Sequence, residues 1–417
     1  MSRKLLIVTT VASTLNAFLL PFADHFRGLG WTVDAAAAGI DGDPRCARHF
    51  DRTWELGWSR SPRDPGGLRA AAEIRRLVGE GGYDVVHVHT PIAGFVTRFA
   101  LRGLRRSRGL KVVYTAHGLH SHPEGGAPAN AAFCALERLA GRWTDALVVI
   151  NREDEAYART HRLAGRGALY QMPGIGVDLE RYSREQTDPG AVAAVRAEIG
   201  LAPEDKMLLM VAEFSPGKRH SDAVTAFARM EGDAGAPAIP RSERPGAPLA
   251  PAPPAPRVHL VLAGDGVTKE KVRALVSALG LSERVHLLGI RDDVPVLLAT
   301  AEALVLPSER EGLPRVVLEA MAMGTPVIGS RIRGTTELLE GGCGFLFELG
   351  DVDALAAAMR QAIEEPAVAK SMAAAARLRV ERYALPRVIE MHQQMYEALL
   401  RSSPAELRCA DAVPARN

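Results

Sequence analysis

Cysteine is scarce in this sequence, and what there is does not pair. Four residues, Cys46, Cys134, Cys343 and Cys409, lie far apart with no C-x-x-C among them. That spacing argues against a disulfide framework or a cysteine zinc site and points to reduced thiols in a cytosolic setting. Net charge is nearly absent as well, at +2 over 417 residues, so the long electrostatic footprint of a nucleic-acid binder is missing. No window reaches the ~18 uninterrupted apolar residues that a membrane-spanning helix needs. The apolar stretch 5–23 follows Arg3 and Lys4 and superficially resembles a signal peptide, but Thr9, Thr10, Ser13, Thr14 and Asn16 interrupt it. It reads instead as a buried strand at 5–8 and a helix at 18–26. A soluble or peripheral protein of the cytoplasm, at most at the inner face of the cell membrane, is expected. Neither half opens with G-x-G-x-x-G after its first strand, which argues against a dehydrogenase.

What is present is ordinary in bulk: 47% hydrophobic and 24% charged residues, in a chain long enough for two domains. Short β-branched runs alternate with helical patterns, the signature of parallel α/β architecture. In the first half, strands are expected at 4–8, 32–36, 85–89, 111–115 and 146–150, with helices such as 67–78 and 130–142. A second series places strands at 207–211, 258–263, 285–288, 303–306 and 326–329. Helices are expected between and after them at 221–229, 269–279, 314–323 and 352–364. Two consecutive doubly wound units follow, with a boundary near 173–190. Such sheets bind ligands at the carboxyl ends of their strands, so a pair of them offers a cleft. Residues 231–256 hold eight prolines in 26 positions, a composition expected to form a flexible insertion with polyproline character.

The densest chemistry lies in Pro307-Ser308-Glu309-Arg310-Glu311-Gly312-Leu313-Pro314-Arg315-Val316-Val317-Leu318-Glu319. A buried strand should end at Pro307, a turn containing Gly312 should follow, and Pro314 suits the first position of a helix. Amides of that first turn, at Arg315 and Val316, form a ready anion site. Carboxylates accept paired hydrogen bonds from vicinal hydroxyls, so one glutamate suits a ribose and the other a sugar ring. Taken singly, Glu311 reads as a solvated loop residue and Glu319 as a surface charge. Yet Glu319 falls between Leu318 and Ala320 in an otherwise apolar helix, where a charge needs a partner or a purpose.

This segment, followed by Glu-Ala-Met-Ala-x-Gly-Thr-Pro-Val, resembles the donor motif of the family 4 retaining glycosyltransferases of GT-B fold. Val261-Leu262-Ala263-Gly264-Asp265-Gly266, Leu288-Gly289 and Gly334-x-x-Glu337-Leu338 before Gly344-Phe345-Leu346 fall in the family's order, so the likeness spans nearly the whole chain. By that resemblance Glu319 binds the ribose and Glu311 the transferred sugar. Gly312, Leu313, Arg315 and Val316 hold the diphosphate through their amides, and Lys218 neutralises the leaving group. Many relatives carry an arginine five residues before that lysine where this chain has Glu213, so a second cation must come from elsewhere, with Arg219 nearby. The resemblance also implies metal-independent catalysis, a UDP-sugar donor, and a saccharide or lipid-diphosphate-linked acceptor in surface-polysaccharide assembly.

In the first domain, Tyr114-Thr115-Ala116-His117-Gly118 ends a strand. The family places the matching histidine beside the anomeric centre, which gives His117 a catalytic role; on spacing alone it is equally a strand-end histidine satisfied by backbone. His89, Thr90, Pro91 and Gly94 are expected to line the acceptor side. His87, His89, His117, His120 and His122 invite a metal, but no cysteine or orderly carboxylate completes a site, so none is expected. Residues 95–111 contain six basic residues and no acid, with Phe95, Phe99 and Leu104 interleaved. That pattern fits contact with anionic lipid or simply a solvated basic face. The expected fold is α/β, two doubly wound Rossmann-like domains facing a cleft: an acceptor domain at 1–178, a nucleotide-sugar domain at 191–383, and a helix at 384–402 packing back on the first. A sugar-nucleotide epimerase of the same fold would need acidic catalytic residues in the first domain, and none is convincingly placed. A non-catalytic sugar-nucleotide binder is opposed by the intact Glu311, Glu319, Lys218 and His117.

Overall fold

The computed structural model describes residues 2–58, 66–119, 126–234 and 256–401. The chain forms two compact units. One takes the residues up to Gly176 together with those from Leu385 onward, and the other takes Val177–Ala384.

The first unit is built on seven strands: β1 (Lys4–Val11), β2 (Thr32–Ala38), β3 (Arg52–Glu55), β4 (Val85–His89), β5 (Lys111–Ala116), β6 (Ala146–Val149) and β7 (Ala168–Gln171). They pair in the order β3-β2-β1-β4-β5-β6-β7, all parallel. The order reverses between β1 and β4, and there the carboxyl ends of the strands open a place for ligands. Strands β4 to β6 are buried along their whole length, which explains their unalternating apolar sequences. The C-terminal helix Leu385–Arg401 belongs to this unit, and Val388, Tyr396 and Leu399 lie in one core cluster with Leu5, Phe26 and Val33.

The second unit has six parallel strands: β8 (Lys206–Val211), β9 (Val258–Ala263), β10 (Val285–Gly289), β11 (Ala303–Leu306), β12 (Val327–Ser330) and β13 (Phe345–Phe347). Their order is β10-β9-β8-β11-β12-β13, which reverses between β8 and β11.

Several expectations are corrected. β1 runs to Val11, and Thr9 and Thr10 are buried within it; threonine is β-branched and fits a strand, so these residues continue the element they were read as interrupting. The following helix then starts early, as Ala12–Phe18, and a second covers Leu20–Gly28. β3, β7 and β13 were not anticipated, each being three or four residues at or beside a sheet edge. The Asn130 helix starts at Ala127, and that at Ser221 starts at His220 and continues to Ala234. Most of the proline-rich insertion, residues 235–255, lies outside the described residues.

Candidate functional site

In the second unit, the loops after β8 and β11, the two strands flanking the reversal, come together. The amide of Glu309 donates to the Gly217 carbonyl at 2.8 Å, tying the β11 loop to the Pro216–Lys218 turn. This join brings the Lys218 Nζ to 2.5 Å from the Glu311 Oε1. Both side chains keep some exposure, 28% for the lysine and 13% for the glutamate, so the pair stays reachable by a ligand. Just beyond stands the helix Arg315–Met323. Pro314 is its N-cap and not, as expected, its first residue, with φ −70° and ψ 113°. Arg315 and Val316 therefore open the helix, and its positive end faces the turn that carries Glu311. Gly312 and Leu313 form the turn between, Leu313 and Val316 resting on the core cluster. Gly334 has to be glycine, because a Cβ there would run into the Gly312 carbonyl; that close approach fixes the floor of the turn.

Glu319 is not a surface charge. It is 5% exposed and accepts from the Arg315 Nε at 2.6 Å, one helical turn away. Tyr182 also meets this pair; burial first, then the Glu319 charge, pushes its hydroxyl up to about 12. Sequence reading missed Tyr182, because nothing in its neighbourhood announces a contact so far along the chain. Arg219, considered as the second cation, is bound to Asp222 at 2.7 Å, and Glu213 is exposed.

The first unit assembles its own set at the carboxyl ends of β4 and β5. The rings of His87 and His89 stack at 4.2 Å, and those of His89 and His117 at 5.2 Å. The Nδ1 of His89 and the Nε2 of His117 share a hydrogen bond of 3.0 Å. Burial, then the neighbouring His392, pushes His117 down to about 4, so the ring is neutral near pH 7. A small cavity is lined by His87, His89, His117 and Thr115 of the strand ends and by His392 and Tyr396 of the C-terminal helix. Those last two were also missed by the sequence reading.

Thr90 adopts φ 68° and ψ 145°, a conformation costly for any side chain and found at functional turns. Its hydroxyl is held by the Thr10 hydroxyl at 2.6 Å. Pro91 starts the helix Pro91–Leu101, and Gly94 is turned to the sheet, where a Cβ would fall 2.6 Å from the Tyr114 ring. Glycine at position 94 thus serves the packing of helix on strand. His120 and His122 lie outside the described residues; among the described residues, no three of His, Cys, Asp or Glu are grouped so as to hold a metal ion.

The basic stretch is more committed than its sequence suggests. Arg98 is 1% exposed, paired with Glu137 at 2.9 Å and set over the Tyr114 ring at 4.0 Å. Arg105 grips Asp145 at 2.7 Å, and Lys111 is buried. Among the described residues, no helix is long and apolar enough to cross a membrane.

Comparison with known proteins gives concordant matches. A family model described as glycosyl transferases group 1 matches residues 192–379, and one described as a glycosyl transferase 4-like domain matches residues 14–169. The chain is 30% identical over 403 residues to EpsD of Bacillus subtilis (strain 168), named as a glycosyltransferase, covering 96% of this chain and 98% of that one. It is 26% identical over 289 residues to the UDP-Gal:α-D-GlcNAc-diphosphoundecaprenol α-1,3-galactosyltransferase of Escherichia coli, covering 69% and 68%. Among solved structures it is similar to HepE of Anabaena in complex with UDP and glucose. There the TM-score is 0.74 at 21% identity, over 95% of this chain and all of that one.

Proposed function

This chain belongs to the group 1, family 4-like glycosyltransferases, and we propose that it moves a sugar from UDP to a saccharide or lipid-diphosphate-linked acceptor with retention of configuration. Its two doubly wound units are those of the GT-B fold. The observation that carries the donor assignment is the Lys218–Glu311 pair at the reversal point of the second sheet, set beside a helix N-terminus. Glu319, buried and within reach of one cation, is assigned to the ribose hydroxyls. Glu311 takes the transferred sugar. The diphosphate rests on the amides from Gly312 to Val316 and on Lys218.

Breaking the sugar–phosphate bond leaves the pair of electrons on the diphosphate, which Lys218 stabilises. The acceptor oxygen bonds to the anomeric carbon and its proton passes to the departing phosphate. His117 acts as a neutral hydrogen-bonding group toward the sugar, and His89, Thr90 and Pro91 border the acceptor. UDP is preferred because the Escherichia coli relative is named for a UDP donor and HepE was solved with UDP. The lipid-diphosphate acceptor follows the same relative's name.

The test is thermal stability with UDP, GDP and ADP, then transfer from labelled UDP-sugars into a membrane extract. UDP should raise the melting temperature and Glu319→Ala should abolish the rise. Stabilisation by GDP or ADP alone would overturn the donor assignment. Transfer is expected to persist in EDTA, and the anomeric configuration of product is read directly by NMR.

A further inference from the structure

His89 is the last residue of β4 and is 3% exposed, so it has little surface of its own to offer an acceptor. An apolar side chain would fill that place more cheaply, because a buried imidazole has to be hydrogen-bonded. The bond its ring makes goes to His117. The His89 Nδ1 and the His117 Nε2 stand 3.0 Å apart, with 21° between the ring planes. His117 is half-buried, and Nδ1 is the nitrogen left to it for a ligand.

His89 is itself held from two sides. The His87 ring stacks on it at 4.2 Å. His87 is fixed at both nitrogens, by the Tyr396 hydroxyl at 2.5 Å and the Thr115 hydroxyl at 2.7 Å. At its carbonyl end the chain turns away through Thr90, whose φ is 68°. The Thr90 hydroxyl donates to the His89 carbonyl at 2.5 Å and meets the Thr10 hydroxyl at 2.6 Å. A threonine in this left-handed region is strained, and such strain persists only where the surroundings over-determine it. Here the contacts that hold the strained turn also fix the backbone of His89.

Burial keeps both rings below their ordinary range, His117 at about 4, so each is neutral near pH 7. Two neutral imidazoles joined in this way hold one proton between them. A ring that accepts at Nε2 carries its own proton at Nδ1, and a ring that donates at Nε2 presents a bare Nδ1. The form that His89 takes therefore decides whether His117 offers a ligand a donor or an acceptor. We propose that His89 is a positioning residue, fixing the tautomer and the ring plane of His117 for the group that His117 meets. This rests on the reading that His117 faces the transferred sugar. It also gives the strained turn at Thr90 a task, which is to keep His89 in place.

Nitrogen NMR of the full chain, with isotope-labelled histidine at about pH 7.5, tests it. Long-range proton–nitrogen correlations should show His117, assigned through its loss in His117→Gln, in a single tautomer. In His89→Leu its two nitrogens should move toward the averaged values of a mixture. His89→Asn, whose amide takes the place of Nδ1, should restore one form. Turnover with a labelled UDP-sugar should fall about tenfold or more in His89→Leu and recover most of that in His89→Asn, while the rise in melting temperature with UDP stays as in the wild type. A tautomer mixture for His117 in the wild type would overturn the proposal whatever the variants do. So would an unchanged His117 tautomer in His89→Leu, or a His89→Asn variant no better than His89→Leu. Full turnover in His117→Gln would overturn it through the underlying reading. That failure is told apart from the others because the spectra would still show one tautomer set by His89.

Discussion

Acidification should unlock the first unit through its histidines well before its carboxylates respond. Four imidazoles form one stack: His392 on His87 at 5.8 Å, His87 on His89 at 4.2 Å, and His89 on His117 at 5.2 Å. The Tyr396 hydroxyl reaches the His87 Nδ1 at 2.5 Å and Thr115 holds its Nε2 at 2.7 Å. All four are pushed down by burial, and His87, His89 and His117 also by their neighbours, with His117 and His392 at about 4 against an ordinary 6.5. Each folded value lies below the unfolded one, so the unfolded chain binds more protons between pH 6.5 and 4. Stability from the neutral rings is complete above about pH 6.5 and drains away as pH falls toward 4. At about 1.4 kcal/mol per pH unit for each proton taken up, one ring is worth about 3 kcal/mol across that window. Urea unfolding at half-unit steps from pH 7.5 to 4.5 reads the slope. His220, in the second unit, is also at about 4 and adds to it, so the wild type is compared with His392→Leu, whose slope should be shallower by about one proton. Constant stability from pH 7 to 5, or a slope untouched by His392→Leu, would refute the reasoning.

Other outcomes follow from single contacts. Glu311→Gln should release Lys218 for the diphosphate and tighten UDP binding by a few fold, the scale of a partly exposed ion pair, while lowering turnover; calorimetry and initial rates separate the two. Glu319→Gln keeps the shape but removes the carboxylate assigned to the ribose hydroxyls, so UDP affinity should fall by about tenfold or more. Gly94→Ala should destabilise the first unit by about 1–3 kcal/mol through overlap with Tyr114, measured by urea unfolding.

The donor segment was legible because everything it needs is local. β11 ends where its apolar run ends, and the burial of Glu319 follows from its apolar neighbours; the partner that burial demands is Arg315, four residues back. Pro314 was misplaced by one position, since proline serves as either cap or first residue. Contacts across the chain were illegible. Tyr182 beside Glu319, Glu137 beneath Arg98, and Tyr396 on His87 join residues that no periodicity connects. Arg98 shows the cost of this: its sequence setting suggests a lipid-facing cation, whereas a ring and a carboxylate from two other elements bury it. Thr9 and Thr10 hide β1's true end for a different reason: their hydroxyls look like a break, while their β-branching suits a strand covered on both faces.

Tyr396 and His392 reach the first unit's core from the far end of the chain. During synthesis the ribosome delivers β1 to β7, then all of the second unit, and only then the helix Leu385–Arg401 that fills the gap beside Phe26 and His87. The second unit can close while the first is still waiting for its last piece. A nascent or truncated chain ending before residue 385 would expose Phe26, Trp31 and the histidine stack to water. It is a natural substrate for chaperones and proteases, and a fragment of the first 176 residues is a poor choice for expression.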